Sequence, residues 1–120
     1  MLFRSPIAQG GTTVSGGQRQ RLAIARALVH RPQITIFDDS FSALDMRTDA
    51  LLRAALAREL ADATVIIVAQ RVGTILHADR IVVLDEGRVA GIGTHAELMA
   101  SCETYREIVL SQVTEEEAAG

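Results

Sequence analysis

The chain has 120 residues, 48% hydrophobic and 22% charged, with a formal net charge of −3, which suits one small packed α/β domain and excludes a disordered chain or a basic nucleic-acid-binding surface. Its one cysteine, Cys102, cannot form an internal disulfide, in agreement with a reducing compartment. No apolar run approaches the ~18–20 residues of a membrane-spanning helix and no signal peptide is visible, so membrane association is expected through a partner or a missing segment.

Residues 1–5 match no recognisable element and read as a foreign start, and Pro6 to Thr13 read as loop, punctuated by Gly10-Gly11. Ser15-Gly16-Gly17-Gln18 then forms a small polar turn opening a helix. Ser15 is a good N-cap, the glycines leave room for close approach, and the first backbone N–H groups of the helix are unpaired, so the turn suits a phosphate. Taken alone, it is more often an ordinary helix start. The helix is expected from Gly16 to about Val29, with Leu22, Ala25, Leu28 and Val29 facing the core, and His30-Arg31-Pro32 ends it. Arg19, Arg21 and Arg26 read as a solvated or subunit-facing surface of that helix.

Ile34-Thr35-Ile36-Phe37 is short, apolar and β-branched, the pattern of a buried strand. Asp38 and Asp39 follow, where open α/β sheets bind ligands. One such carboxylate can hold Mg²⁺ while its neighbour orients an attacking water. An acidic cap on the next helix explains the pair equally well. Met46 to about Ala61 reads as that helix, with Leu52, Ala55, Leu56 and Leu60 on its apolar face. Thr64 to Ala69 reads as a second buried, parallel strand, and the polar Gln70 follows it. Ile81 to Leu84 is a third strand, turning through Asp85-Glu86-Gly87-Arg88 into Val89 to Ile92. Thr94-His95-Ala96-Glu97 has the form of a capping box. A final helix is expected from about Glu103 to Val113, with Tyr105, Ile108 and Val109 inward and a frayed acidic tail after it. His30, His77 and His95 read as polar residues near helix ends rather than as ligands.

Together these stretches resemble the ATP-binding cassette (ABC) family, in its exporter-type ATPase domains, from about Pro6 to about Gln112. V-S-G-G-Q-R-Q-R is similar to the family's signature motif, I-T-I-F-D-D to its Walker B strand, and Ser42-Ala43-Leu44-Asp45 to its D-loop. The implied fold is α/β: the C-terminal part of a P-loop NTPase (RecA-like) parallel sheet flanked by helices, plus the signature helix of the helical subdomain. The phosphate-binding loop G-x-x-x-x-G-K-[ST] is absent, so residues 1–120 read as a partial ATPase domain, a fragment or truncated product, ending in an acidic tail at 114–120.

In the family, two ATPase domains dimerise head to tail around two ATP molecules. The resemblance therefore implies that Ser15, Gly16, Gly17 and Gln18 contact ATP in trans, that Asp38 holds Mg²⁺, and that Asp45 lies at the dimer interface. It places Asp39 at the catalytic carboxylate and Gln70 at the switch position. Both depart from the family, which has glutamate and histidine there. Gln9 departs as well, standing where such exporters often carry an acidic residue facing the transmembrane domain. An intact signature beside a degenerate local site resembles one half of a heterodimeric exporter of the multidrug or lipid type. The implied partners are a second ATPase domain and the transporter's transmembrane domain, with no nucleic acid, at the cytoplasmic face of the cell membrane. The alternative is a non-catalytic, nucleotide-dependent dimerisation module. A chromosome-associated ATPase of related sequence is disfavoured by the acidic charge and by the R-I-V-V-L-D-E-G-R and G-T-H-A-E-L segments.

Overall fold

A computed structural model describes residues 15–119, with side-chain surroundings through Glu115; the expected start at 1–5, the loop from Pro6 to Thr13 and Gln9 lie outside the described residues. The chain divides into two compact units, one ending at Val68 and one beginning at Ala69.

In the first unit, helix α1 (Gly16–Leu28) leads to strand β1 (Ile34–Asp38), helix α2 (Met46–Glu59) and strand β2 (Thr64–Val68). β1 and β2 pair in parallel, with Ile34 opposite Thr64 and Asp38 opposite Val68. Ile24, Phe37, Phe41, Leu44, Leu56 and Leu60 are buried together, and Leu28, Leu52 and Ile67 pack against them. α2 behaves as its pattern requires, with Leu56 and Leu60 inward. Asp49, in its first turn and only 4% exposed, accepts from Arg53 Nε at 2.7 Å, a spacing that favours such a pair on a helix.

Two expectations fail here. α1 does not bury Leu22, Ala25 and Val29: Ile24 is its buried residue, Leu28 is half-buried, and Val29 is 78% exposed. The segment L-A-I-A-R-A-L-V is apolar nearly all round, so helical spacing alone does not select the packed face. Nor are the two strands buried on both faces. Thr35 and Phe37 point into the core, whereas Ile34 and Ile36 are more than 60% exposed, and Ile66 and Val68 lie opposite Ile36 and Asp38 on the same open face. A run that is apolar on both sides suits a parallel sheet covered on both faces, and only one is covered among the described residues.

In the second unit, the short helix α3 (Val72–Ile75) precedes strands β3 (Ile81–Asp85) and β4 (Arg88–Gly93), which pair antiparallel, and helices α4 (His95–Ser101) and α5 (Glu103–Ala119) follow. The hairpin turn has Glu86 at φ 47° and Gly87 at φ 74°, the positive pair that a tight two-residue connection requires. Thr94 and Glu97 form the expected capping box. Ile81, Val83, Leu98, Cys102 and Tyr105 make the core, and Ile108 and Val109 pack against it as the pattern indicated. A Cβ at Gly91 would lie 3.0 Å from both Cys102 Sγ and Leu98 Cδ2, so β4 approaches the helices through a glycine. α5 continues through Ala119 instead of fraying after Val113. Its last residues, E-E-E-A-A, are good helix formers.

Candidate functional site

The start of α1 is built by Ser15. Its hydroxyl accepts from the Gln18 N–H at 3.2 Å while Gln18 Oε1 accepts from the Ser15 N–H at 2.8 Å, a reciprocal cap. Gln18 is thus a structural member of the turn, its amide nitrogen remaining as a donor. Gly16 and Gly17 bring the helix against the turn after β1. A Cβ added at Gly17 would stand 3.1 Å from the Ala43 carbonyl oxygen and 3.5 Å from the Leu44 side chain. Between these segments lies an open groove of about 430 Å³, lined by Ser15, Gly16, Gly17, Arg21, Ala43, Leu44, Asp45 and Thr48. Three of the four candidates at the helix start, Ser15, Gly16 and Gly17, therefore belong to one surface with Asp45, and Gln18 does not line it.

Asp45 is the N-cap of α2: its carboxylate accepts from the Thr48 N–H at 2.8 Å. Hydrogen bonds from Thr48, side chain first and backbone second, hold its pKa below the usual 3.8, and Arg21 adds a smaller attraction. The groove so presents one cation, one anion and the Gly16 and Gly17 N–H groups at a helix start, which are unpaired among the described residues and where a phosphate is favoured.

Asp38 and Asp39 stand at the end of β1, both exposed. The Asp39 N–H donates to the Val68 carbonyl at 3.0 Å, carrying the β1–β2 ladder one residue further. Asp39 has φ 50°, the left-handed region that a short polar side chain tolerates better than most. Among the described residues no three side chains converge as a metal cage. Mg²⁺ bound with a nucleotide is held by one or two carboxylates plus phosphate oxygens, so the exposed Asp38 fits that role.

Gln70 lies in the second unit, exposed, on the segment that enters α3. Two residues that sequence reasoning passed over hold these loops. Gln20, on α1, reaches Asp39, Ser42 and Ala43. Gln112, on α5, donates to the Gln70 carbonyl at 2.6 Å and accepts from the Val72 N–H at 2.8 Å. Each lies in line with core residues of its helix, Gln20 with Ile24 and Leu28, Gln112 with Ile108 and Val109. For Gln112 a polar residue in an inward stripe was the available signal, whereas for Gln20 the packed face of α1 could not be selected from the sequence. His30 and His77 are exposed, whereas His95, read from the sequence as a surface residue near a helix start, is half-buried, and its Nδ1 shares a 2.9 Å hydrogen bond with the Tyr105 hydroxyl.

The family described as ABC transporter matches residues 2–42. An uncharacterised ABC transporter ATP-binding protein of Mycobacterium tuberculosis is 52% identical over 110 residues, covering 92% of this chain and 19% of that protein. An ABC multidrug transporter of Trichophyton rubrum is 44% identical over 110 residues, with 8% of its length covered. A solved structure, that of a bacterial Atm1-family ABC exporter with ATP bound, superposes with a TM-score of 0.85 at 38% identity, over 91% of this chain and 20% of that one. The small parallel and antiparallel sheets with their helices are thus those of part of an ABC-type nucleotide hydrolase. The chain belongs to the ABC transporter ATPase domains and is homologous to the ATP-binding proteins of exporters, of whose length it spans a minor part.

A pH dependence follows from Asp45. Because its pKa is lower folded than unfolded, the cap's contribution is present above the unfolded value near 3.8 and is lost as pH falls through the folded one. Acidification below about pH 4 should release the Thr48 amide, read as its shift in a two-dimensional NMR titration, and Asp45→Asn, which keeps an oxygen acceptor, should remove that titration.

Proposed function

We propose that the chain is the C-terminal half of the ATPase motor of an ABC exporter. In this reading Ser15–Gln18 is the signature and acts on the ATP of a partner ATPase domain, while the chain's own site is degenerate and hydrolyses slowly. The observation that carries it is the capped glycine turn set across an open groove from the segment after Asp38-Asp39. The exporter and multidrug-transporter relatives support the coupling to membrane transport at the cytoplasmic face of the cell membrane. They support a transmembrane domain and a second ATPase domain as partners, with a heterodimer following from the asymmetry of the motifs.

Each residue has a chemical task in this reading. Ser15 donates its hydroxyl proton to a phosphate oxygen while its lone pair holds the cap, and the N–H groups of α1 add to the anion site. Asp38 holds Mg²⁺, which when bound neutralises charge on the phosphates. Asp39 accepts from and orients the attacking water, but it is one methylene shorter than the family's glutamate, and a misplacement of about 1 Å can cost on the order of a hundredfold in rate. Gln70 offers a neutral amide hydrogen bond instead of an imidazole. By itself the chain has no phosphate-binding loop and does not turn over ATP. The two departures also favour, for the local site alone, a role as nucleotide-dependent glue between domains, which slow but measurable turnover would exclude.

In the assembled full-length transporter, Ser15→Arg should lower total ATPase activity by about a hundredfold or more, since a bulky cation replaces a positioned donor at the partner's phosphate. Loss of the cap costs only about 1 kcal/mol, so a melting curve verifies folding. Unchanged turnover would mean that this turn is not used in trans. With the partner's catalytic carboxylate replaced by its amide, Asp39→Glu should raise residual hydrolysis and adding Gln70→His should raise it further. No gain from the double change, with an intact partner signature, would exclude these residues as the cause of a slow site.

A further inference from the structure

Gln20 makes three directed contacts with the turn beside the groove. Its Nε2 donates to the Asp39 carbonyl oxygen at 3.1 Å and to Ser42 Oγ at 3.0 Å, and its Oε1 accepts from the Ala43 N–H at 2.9 Å. Both amide protons and one oxygen lone pair are thereby used. Ser42 Oγ donates in turn to the Asp39 carbonyl at 3.2 Å, closing a small network over the turn. The same turn is left-handed at Asp39, a conformation that persists only where its surroundings hold it. It begins at the end of β1 and runs to the N-cap of α2, and a Cβ at Gly17, one helical turn before Gln20, would stand 3.1 Å from its Ala43 carbonyl oxygen. Gln20 itself is anchored, because it lies in line with Ile24 and Leu28, which α1 packs into the core.

We propose that Gln20 is a positioning residue, a strut that fixes the Asp39–Ala43 turn to α1. The carboxylate-bearing turn and the Ser15–Gln18 helix start then move as one body. This rests on the function proposed above, in which the two ends of the strut serve different ATP molecules: the helix start serves the partner's, and Asp39 serves the chain's own. Gln20 thus carries position from one nucleotide site to the other through a single side chain. A carboxamide suits the task, since it donates and accepts at once without the desolvation cost of a charge.

The test uses Gln20→Met, of similar length and unable to make any of the three bonds, and Gln20→Glu, which keeps the acceptor for Ala43 and loses both donors. In the full-length transporter, hydrogen exchange resolved to single amides should show the Ala43 N–H about tenfold less protected in Gln20→Met and near wild type in Gln20→Glu. With the partner's catalytic carboxylate replaced by its amide, so that the chain's own slow site is read, residual ATPase should lose about tenfold in kcat in both variants, with KM for ATP within about twofold, because the bonds to Asp39 and Ser42 are lost in both. Ser42→Ala added to Gln20→Met should cost little more than Gln20→Met alone, since the two act through one network. Unchanged Ala43 protection in Gln20→Met overturns the strut whatever the ATPase does. Unchanged kcat, or kcat falling only in proportion to a lower melting temperature, overturns its positioning role. A transporter with no ATPase activity in the wild type overturns the functional reading instead, while lost Ala43 protection in Gln20→Met still supports the strut.

Discussion

The approach of α1 to the turn after β1 is the constraint on which the candidate site depends. It favours a residue without a Cβ at Gly17, because a Cβ there would stand only 3.1 Å from the Ala43 carbonyl oxygen. It also requires a side chain one turn later that can satisfy the turn's own polar groups, and Gln20 does so. With both in place, the unpaired N–H groups of the helix start, the cation of Arg21 and the carboxylate of Asp45 line one open groove. Without the close approach, Ser15-Gly16-Gly17-Gln18 would be an ordinary helix N-terminus with no neighbour to make it a site.

Both units treat the chain after a strand in the same physical way. The loop after β1 and the segment after β2 carry the residues of chemical interest, and each is held by a glutamine from a helix that packs in the same unit. Glutamine contacts the main chain of Asp39 and Ala43 in one case and of Gln70 and Val72 in the other, with Ser42 Oγ the one loop side chain it is seen to bond among the described residues, so neither contact uses the side chain of Asp39 or Gln70. That leaves the side chains of Asp39 and Gln70 exposed, while the left-handed backbone at Asp39 still favours a short polar residue there.

Much of this was legible in the sequence because local chemistry decided it. Ser15 and Thr94 cap helices as their spacing to Gln18 and Glu97 requires, the Glu86-Gly87 turn closes the hairpin, and the Leu56, Leu60 and Tyr105 stripes face inward. The failures in the first unit share one cause. α1 and the two parallel strands are apolar on more than one side, so periodicity could not say which side would find a partner, and Leu22, Val29 and Ile36 remain exposed. The contacts of Gln20 with residues 39–43 span about twenty positions of sequence, and those of Gln112 with 70–72 about forty, distances over which no local rule operates.

The central claim is that two ATP sites in one assembly run at different speeds, the slow one behind Asp39 and Gln70. It is tested most directly by loading the full-length transporter with radiolabelled ATP and Mg²⁺, diluting it into excess unlabelled ATP, and following bound label and its identity by rapid filtration. The account predicts two phases: one part of the label leaves as ADP at the rate of steady-state turnover, and the other stays bound as unhydrolysed ATP through many turnovers. Release of all the label as ADP in a single phase at the turnover rate would contradict it.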